Sequence, residues 1–271
     1  MPPVKIFIDS ALRVDGSDTN FTYSLPRPIP IETPQKAMVD QIHIPHTFAK
    51  IHVNNRALYV GEVNGVLDVE TKVLLDLGNY DGTTLATEVM NKLNAQNNLT
   101  WTVVYDTPQQ KLKFSVAAGY GYIYPMGWLL KHPASHNFAV VEHDDAGHII
   151  GVHGSGNSDV LSCQQTPIMA KHVSVIPYHV IYLHCDQGLG TGEDVIGPRG
   201  NGSVLRSIPV STSYGQMLHD LSLNPFDHTI LYRGQIGQFK FRLADRYGRD
   251  VVLDQPFSFS ILLTPVDEFE T

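Results

Sequence analysis

Gly237-Gln238-Phe239-Lys240-Phe241-Arg242-Leu243 and, a short way on, Phe257-Ser258-Phe259-Ser260-Ile261 decide the fold class of this 271-residue chain. In the first run Phe239, Phe241 and Leu243 alternate with the cations Lys240 and Arg242. In the second, aromatic and aliphatic side chains alternate with serines. A period of two sends successive side chains to opposite faces of a pleated strand, so each run reads as a strand with one dry and one wet face. Between them Tyr247-Gly248 and Asp254-Gln255-Pro256 carry turn residues.

Working outward, similar runs bounded by Gly, Pro, Asn and Asp recur at residues 21–25, 37–44, 57–60, 69–75, 101–105, 111–116, 173–176, 179–184 and 204–210. Prolines at 26, 28, 30 and 34 read as an extended connection. One segment has helical spacing instead: Leu85, Ala86, Val89, Met90 and Leu93 make a single apolar stripe. It follows the turn cluster Asn79-Tyr80-Asp81-Gly82, and Thr83 or Thr84 is the expected cap. Many strands with a single helix, over residues 84–96, predict a mainly β protein built as a β-sandwich, of which the jelly roll is one common form. No tandem repeat interrupts it, and the expected organisation is a single domain over 1–271 with long loops around 119–160 and 186–202. The second of these holds six glycines between residues 188 and 202.

Composition narrows the function. Charged residues make up 17% of the chain, against roughly 25% in soluble domains, which suits a surface that meets partners. The net charge of −8 and the absence of a basic run give no footprint for direct nucleic-acid contact. The N-terminal run Ile6-Phe7-Ile8 is too short for a signal-peptide core, and no stretch approaches the ~20 apolar residues of a membrane span. Without a secretory route, the sequons at Asn20, Asn98 and Asn201 are chance matches. Cys163 and Cys185 fit no zinc or redox spacing and read as free thiols.

The thirteen histidines are the loudest chemical candidates. His132 and His136 are four apart, but Pro133 lies between them. His43 and His46 are three apart, and His143 and His148 flank Asp144 and Asp145. There is no His-x-His pair of the kind that jelly-roll metal enzymes carry, no Gly-x-Ser-x-Gly, and no Lys-Ser/Thr after the glycines at 188–192. Neither a metal nor another cofactor is implied, and no catalytic residue is assigned. Tyr120, Tyr122, Tyr124 and Trp128 lie close in sequence and offer aromatic faces for a core, a subunit contact or a sugar.

Three groups of residues carry a resemblance. The first is Asp9-Ser10, Arg13, Gly16-Ser17, Asn20-Phe21, Tyr23 and Leu25, followed by Val39-Asp40-Gln41-Ile42-His43-Ile44-Pro45. The second is Leu77-Gly78-Asn79-Tyr80-Asp81, then Val103-Val104-Tyr105-Asp106 and Lys111-Leu112-Lys113. The third is His179-Val180-Ile181-Tyr182-Leu183-His184, the run 204–210, then Phe239 through Gly248 and Phe257 through Ile261. Together they resemble the penton-type minor capsid proteins of Polinton (Maverick) elements, polinton-like viruses and some large double-stranded DNA viruses.

The resemblance implies a single jelly roll, a self-assembling virion component made inside the host cell, and five copies closing a ring at each capsid vertex. It implies major capsid protein and other shell proteins as partners, and no catalysis. The contact residues expected from the loops at 143–158 and 188–202 are His143, Asp144, Asp145, His148, Gly190, Gly192 and Arg199. The alternatives are a β-sandwich module that binds a carbohydrate or receptor and, further off, a histidine-dependent metal enzyme.

Overall fold

A computed structural model describes residues 2–65, 68–96, 98–141, 144–174, 176, 178–189, 203–222, 228–232 and 234–266. In chain order the strands are β1 Val4–Asp9, β2 Asp15–Gly16, β3 Asn20–Ile31, β4 Gln35–Pro45, β5 Ala57–Val63 and β6 Asp68–Leu74. Helix α1, Gly82–Asn94, precedes β7 Trp101–Asp106, β8 Lys111–Val116 and β9 Tyr120–Tyr124. Helices α2 Met126–Lys131 and α3 Gly147–Ile150 lead to β10 Leu161–Cys163 and β11 Ile168–His172. The remaining strands are β12 Val180–Gln187, β13 Val204–Pro209, β14 Met217–Leu221, β15 Thr229–Leu231, β16 Gly234–Ala244 and β17 Ser258–Pro265. The chain divides into two compact units, Met1–Phe48 with Tyr178–Thr271, and Ala49–Pro177.

The first unit is a jelly roll, and its pairing shows why. Take β1, β3, β4, β12, β13, β14, β16 and β17 in chain order. The first pairs with the last, the second with the seventh, the third with the sixth and the fourth with the fifth, all antiparallel. This nesting is one long antiparallel ribbon wound on itself. Further pairing of β17 with β4 and of β16 with β12 joins the turns of the ribbon into two five-stranded sheets. One runs β1-β17-β4-β14 with β15 alongside β4; the other runs β13-β12-β16-β3-β2.

The core of this unit is the dry side of the alternation seen in the sequence. Phe239, Phe241 and Leu243 are fully buried, as are Ile42, Ile44, Ile181, Leu183 and Ile261. The rings of Phe241 and Phe259 meet edge to face with centroids 4.9 Å apart. Each such side chain contributes about 1.5–3 kcal/mol by leaving water. Phe48 and Tyr178, at the two ends of this unit's broken chain, meet edge to face at 5.2 Å.

The second unit has a four-stranded sheet, β10-β9-β5-β6, and a three-stranded sheet, β11-β8-β7. Leu58, Val60, Ile123, Trp101 and Phe114 pack with Leu85, Val89 and Leu93 of α1. The helix end is tied to the next strand, because the Asn94 side chain both donates to the Trp101 carbonyl (3.0 Å) and accepts from its N–H (2.7 Å).

Several sequence expectations change. The helix begins at Gly82, not Thr84, and its cap is Asp81. The Asp81 carboxylate accepts from Thr84 N–H (2.8 Å) while the Thr84 hydroxyl accepts from Asp81 N–H (2.9 Å), a reciprocal capping box. The strand expected at 173–176 is absent among the described residues there, and the pairing falls on β11 just before it. Asp245-Arg246-Tyr247-Gly248 does form a turn, with Gly248 at φ 73° and the Asp245 carboxylate accepting from Tyr247 N–H and Arg249 N–H. The strands on either side of it, β16 and β17, lie in different sheets. The prolines at 26, 28 and 30 belong to β3 itself. There β3 pairs only with β16, because β2 covers only Phe21 and Thr22, so residues without an N–H sit on an open edge. The stretch 119–160 contains β9, α2, α3 and β-bridge partner Asp145.

Candidate assembly surfaces

Segment 144–158 is strapped into the second unit. The Asp144 carboxylate accepts with both oxygens: Tyr59 donates to Oδ1 (2.9 Å) and Lys72 to Oδ2 (2.6 Å). Burial opposes charge on Lys72, but the Asp144 and Tyr59 oxygens outweigh it and hold the ammonium above its usual range. Asp145 bridges to Ala57, and burial pushes its carboxyl up to about 6 against the backbone N–H groups of Met126 and Gly147 that donate to it. Ile149, Ile150 and Val152 then enter the core. At the far end Asp159 pairs with Lys171 (2.7 Å) and accepts from Ser155 and Gly156 N–H (both 2.9 Å). The lysine above all holds its carboxyl down to about 2. What this segment leaves exposed is His148, Gly154 and Gly156 through Ser158. The His148 ring stacks on His153 at 5.3 Å.

The glycine-rich loop is anchored where it leaves and rejoins the sheet. Gly188 has φ 106°, and a Cβ there would lie 2.4 Å from the Gln238 carbonyl oxygen. Leu189 is buried, and across the loop Cys185 N–H donates to the Ser203 carbonyl (2.8 Å) while the His184 ring meets Ser203 Oγ (2.9 Å). His143, Gly190, Gly192 and Arg199 lie outside the described residues.

Within the aromatic run Trp128 is buried, while Tyr122 and Tyr124 are half-buried on the outer face of β9. Tyr124 stacks on Trp128 (5.1 Å) and Trp128 on His132 (4.7 Å), with Phe138 edge-on to Tyr59 and Tyr124. Trp128 donates its indole N–H to Asn157 (2.8 Å). Burial, helped by Glu70 and Asp68, pushes the Tyr124 hydroxyl up to about 12. Tyr120 remains exposed.

The rings of His132, His136, His43 and His46, paired by spacing in the sequence, each find another partner. His132 and His136 sit against Trp128, and their ring nitrogens face the carbonyls of Trp128 (3.0 Å) and Leu129 (3.1 Å). His46 turns inward onto Phe48 and the Thr212 carbonyl. His43 instead faces His219 of β14, Nδ1 to Nδ1 at 2.6 Å, a pair no sequence spacing shows. Burial, and after it the His219 ring, hold His43 below its usual range. Among the described residues no three or more His, Cys, Asp or Glu side chains gather as a metal site. Burial pushes the thiols of Cys163 and Cys185 up to about 12 and about 11, so neither is a ready nucleophile.

Exposed apolar side chains of the jelly-roll unit, beside Tyr232 (73% exposed) and Tyr214, stand toward the two ends of one sheet. Phe7 (64% exposed), on edge strand β1, stands with Leu12 and Val14. Met217 and Leu221 (57% exposed) stand on edge strand β14 at the other end of the same sheet. No described helix is long and apolar enough to cross a membrane.

No protein-family model matches the chain, and no curated protein matches it. Among solved structures it is similar to the penton protein of mavirus, at a TM-score of 0.50 and 11% identity. The alignment covers 98% of this chain and 99% of that one. At this identity the likeness is one of fold, and it runs through both units.

Proposed function

We propose that this protein is a structural component of an icosahedral viral capsid, a penton-like protein whose five copies close a ring at the vertex. The observation that carries the reading is the nested jelly-roll pairing of the first unit within an end-to-end fold likeness to a penton protein. In this reading both units belong to one capsid building block over residues 1–271, held with major capsid protein and other shell proteins in the virion, and it performs no catalysis. The resemblance to Polinton-type proteins points to a double-stranded DNA element as its source.

A five-fold ring needs a head-to-tail interface, in which two different patches of each subunit meet and the rotation closes. The two apolar sides of the jelly roll meet that need: Phe7, Leu12 and Val14 on the β1 side, Met217 and Leu221 on the β14 side. His148 and the loop at 188–202, with Gly190, Gly192 and Arg199, supply further shell contacts. Asp144 and Asp145 act from behind by fixing the segment that presents His148.

Light scattering over a concentration series tests this. A discrete species of five times 30.1 kDa is expected, and Phe7→Glu and Leu221→Glu are each expected to lower it to the monomer mass. A monomer at every concentration, with no incorporation into shells when co-produced with a major capsid protein, would overturn the reading.

A further inference from the structure

The outer face of the sheet β1-β17-β4-β14 carries a polar row that the assembly reading does not use. Asp9 pairs with Ser258, Ser258 with His43, and His43 with His219, so four strands contribute one residue each to a single register row. Ile8, Ile42, Leu218 and Phe259, their chain neighbours, point into the core, which fixes all four row members on the outer side.

The two histidines are closer than ordinary cross-strand neighbours. Along β4 and β14 the backbone bonds fall at Ser222 N–H to Asp40 O and His46 N–H to Gln216 O, both 2.9 Å. The same register puts His43 and His219 at a non-hydrogen-bonded position, where the strands approach most closely and side chains crowd. Their rings meet edge to face with centroids 4.8 Å apart, and the two Nδ1 atoms converge to 2.6 Å. Two imidazole nitrogens aimed at one point share a single proton. A metal ion can take that proton's place.

We propose that His43 and His219 form a two-histidine site for a divalent transition metal of the zinc, copper and nickel class. Imidazole nitrogen is the ligand these ions favour over magnesium or calcium. At a bond length of about 2.05 Å, a tetrahedral angle sets the two nitrogens roughly 3.3 Å apart. The pair therefore has to open by less than one ångström, and His219 is exposed on an edge strand. With no third His, Cys, Asp or Glu ligand gathered among the described residues, the remaining positions fall to water or to a side chain of a neighbouring molecule. Both histidines come from one chain, so the pair forms without ring closure.

The test is calorimetric titration of the full chain with Zn²⁺ alone, beside His43→Ala, His219→Ala, His219→Gln and, as a control, His153→Ala. One ion per chain is expected. Binding should weaken at least ten-fold in each variant of the pair and stay unchanged in the control, with circular dichroism unaltered throughout. A Cu²⁺-loaded sample should show two coupled nitrogens by electron paramagnetic resonance. No stoichiometric binding by the parent protein, or parent-like affinity in His219→Ala and His219→Gln, would overturn the proposal.

Discussion

Replacing Trp101 by Phe isolates a buried polar contact that the second unit depends on. Trp101 is buried, and its indole N–H donates to Glu62 Oε1 at 2.5 Å. Glu62 is itself buried, and its Oε2 has no partner among the described residues. Trp101→Phe therefore removes the carboxyl group's one side-chain donor in a place water does not reach. An orphaned buried acceptor costs about 1–3 kcal/mol. The lost part of the ring adds about 1–2 kcal/mol of packing. The single variant should lose about 2–5 kcal/mol.

In a Glu62→Leu background only the packing loss remains, so the double-mutant cycle should return a coupling of about 1–3 kcal/mol. The assay is urea unfolding followed by tryptophan fluorescence. The chain has two tryptophans, Trp101 and Trp128, both in the second unit, so Trp128 reports on that unit in all four proteins. A coupling within ~0.5 kcal/mol of zero would refute the account, because the carboxyl group would then not need the indole.

Two further outcomes follow from the same kind of accounting. Asp81→Ala breaks the capping box of α1 and should lower the urea midpoint in the same assay, with Asp81→Asn or Asp81→Ser recovering most of the loss. Cys163 and Cys185 should resist iodoacetamide at pH 8 in the folded protein and react fully in denaturant, because burial raises both thiols well above that pH. Fast alkylation of the folded chain would contradict their placement.

Much of the sandwich was legible because its central strands alternate cleanly, as Phe239 through Leu243 do. What stayed hidden did so for physical reasons. β9, Tyr120-Gly121-Tyr122-Ile123-Tyr124, shows no apolar–polar alternation, since tyrosines fill its outer face and a glycine sits inside. That glycine is required there: a Cβ on Gly121 would lie 2.2 Å from the Trp101 ring, a clash visible only once the two strands face each other. β14 is a short edge strand with Met217 and Leu221 on its wet side, so its period carries no burial signal. The His43–His219 pair depends on that unseen strand and on its register. Conversely, the i,i+4 spacing of His132 and His136 was plain in the sequence, and both rings pack on Trp128.

The ring contact between Phe48 and Tyr178 has a consequence for the length of chain between them. Residues 49–177 leave the jelly roll and come back to it at one aromatic clasp, between its third and fourth ribbon strands. The ribbon's own pairing is already closed without them. Because residues 48 and 178 already meet, added length between them would not stretch any connection of the ribbon.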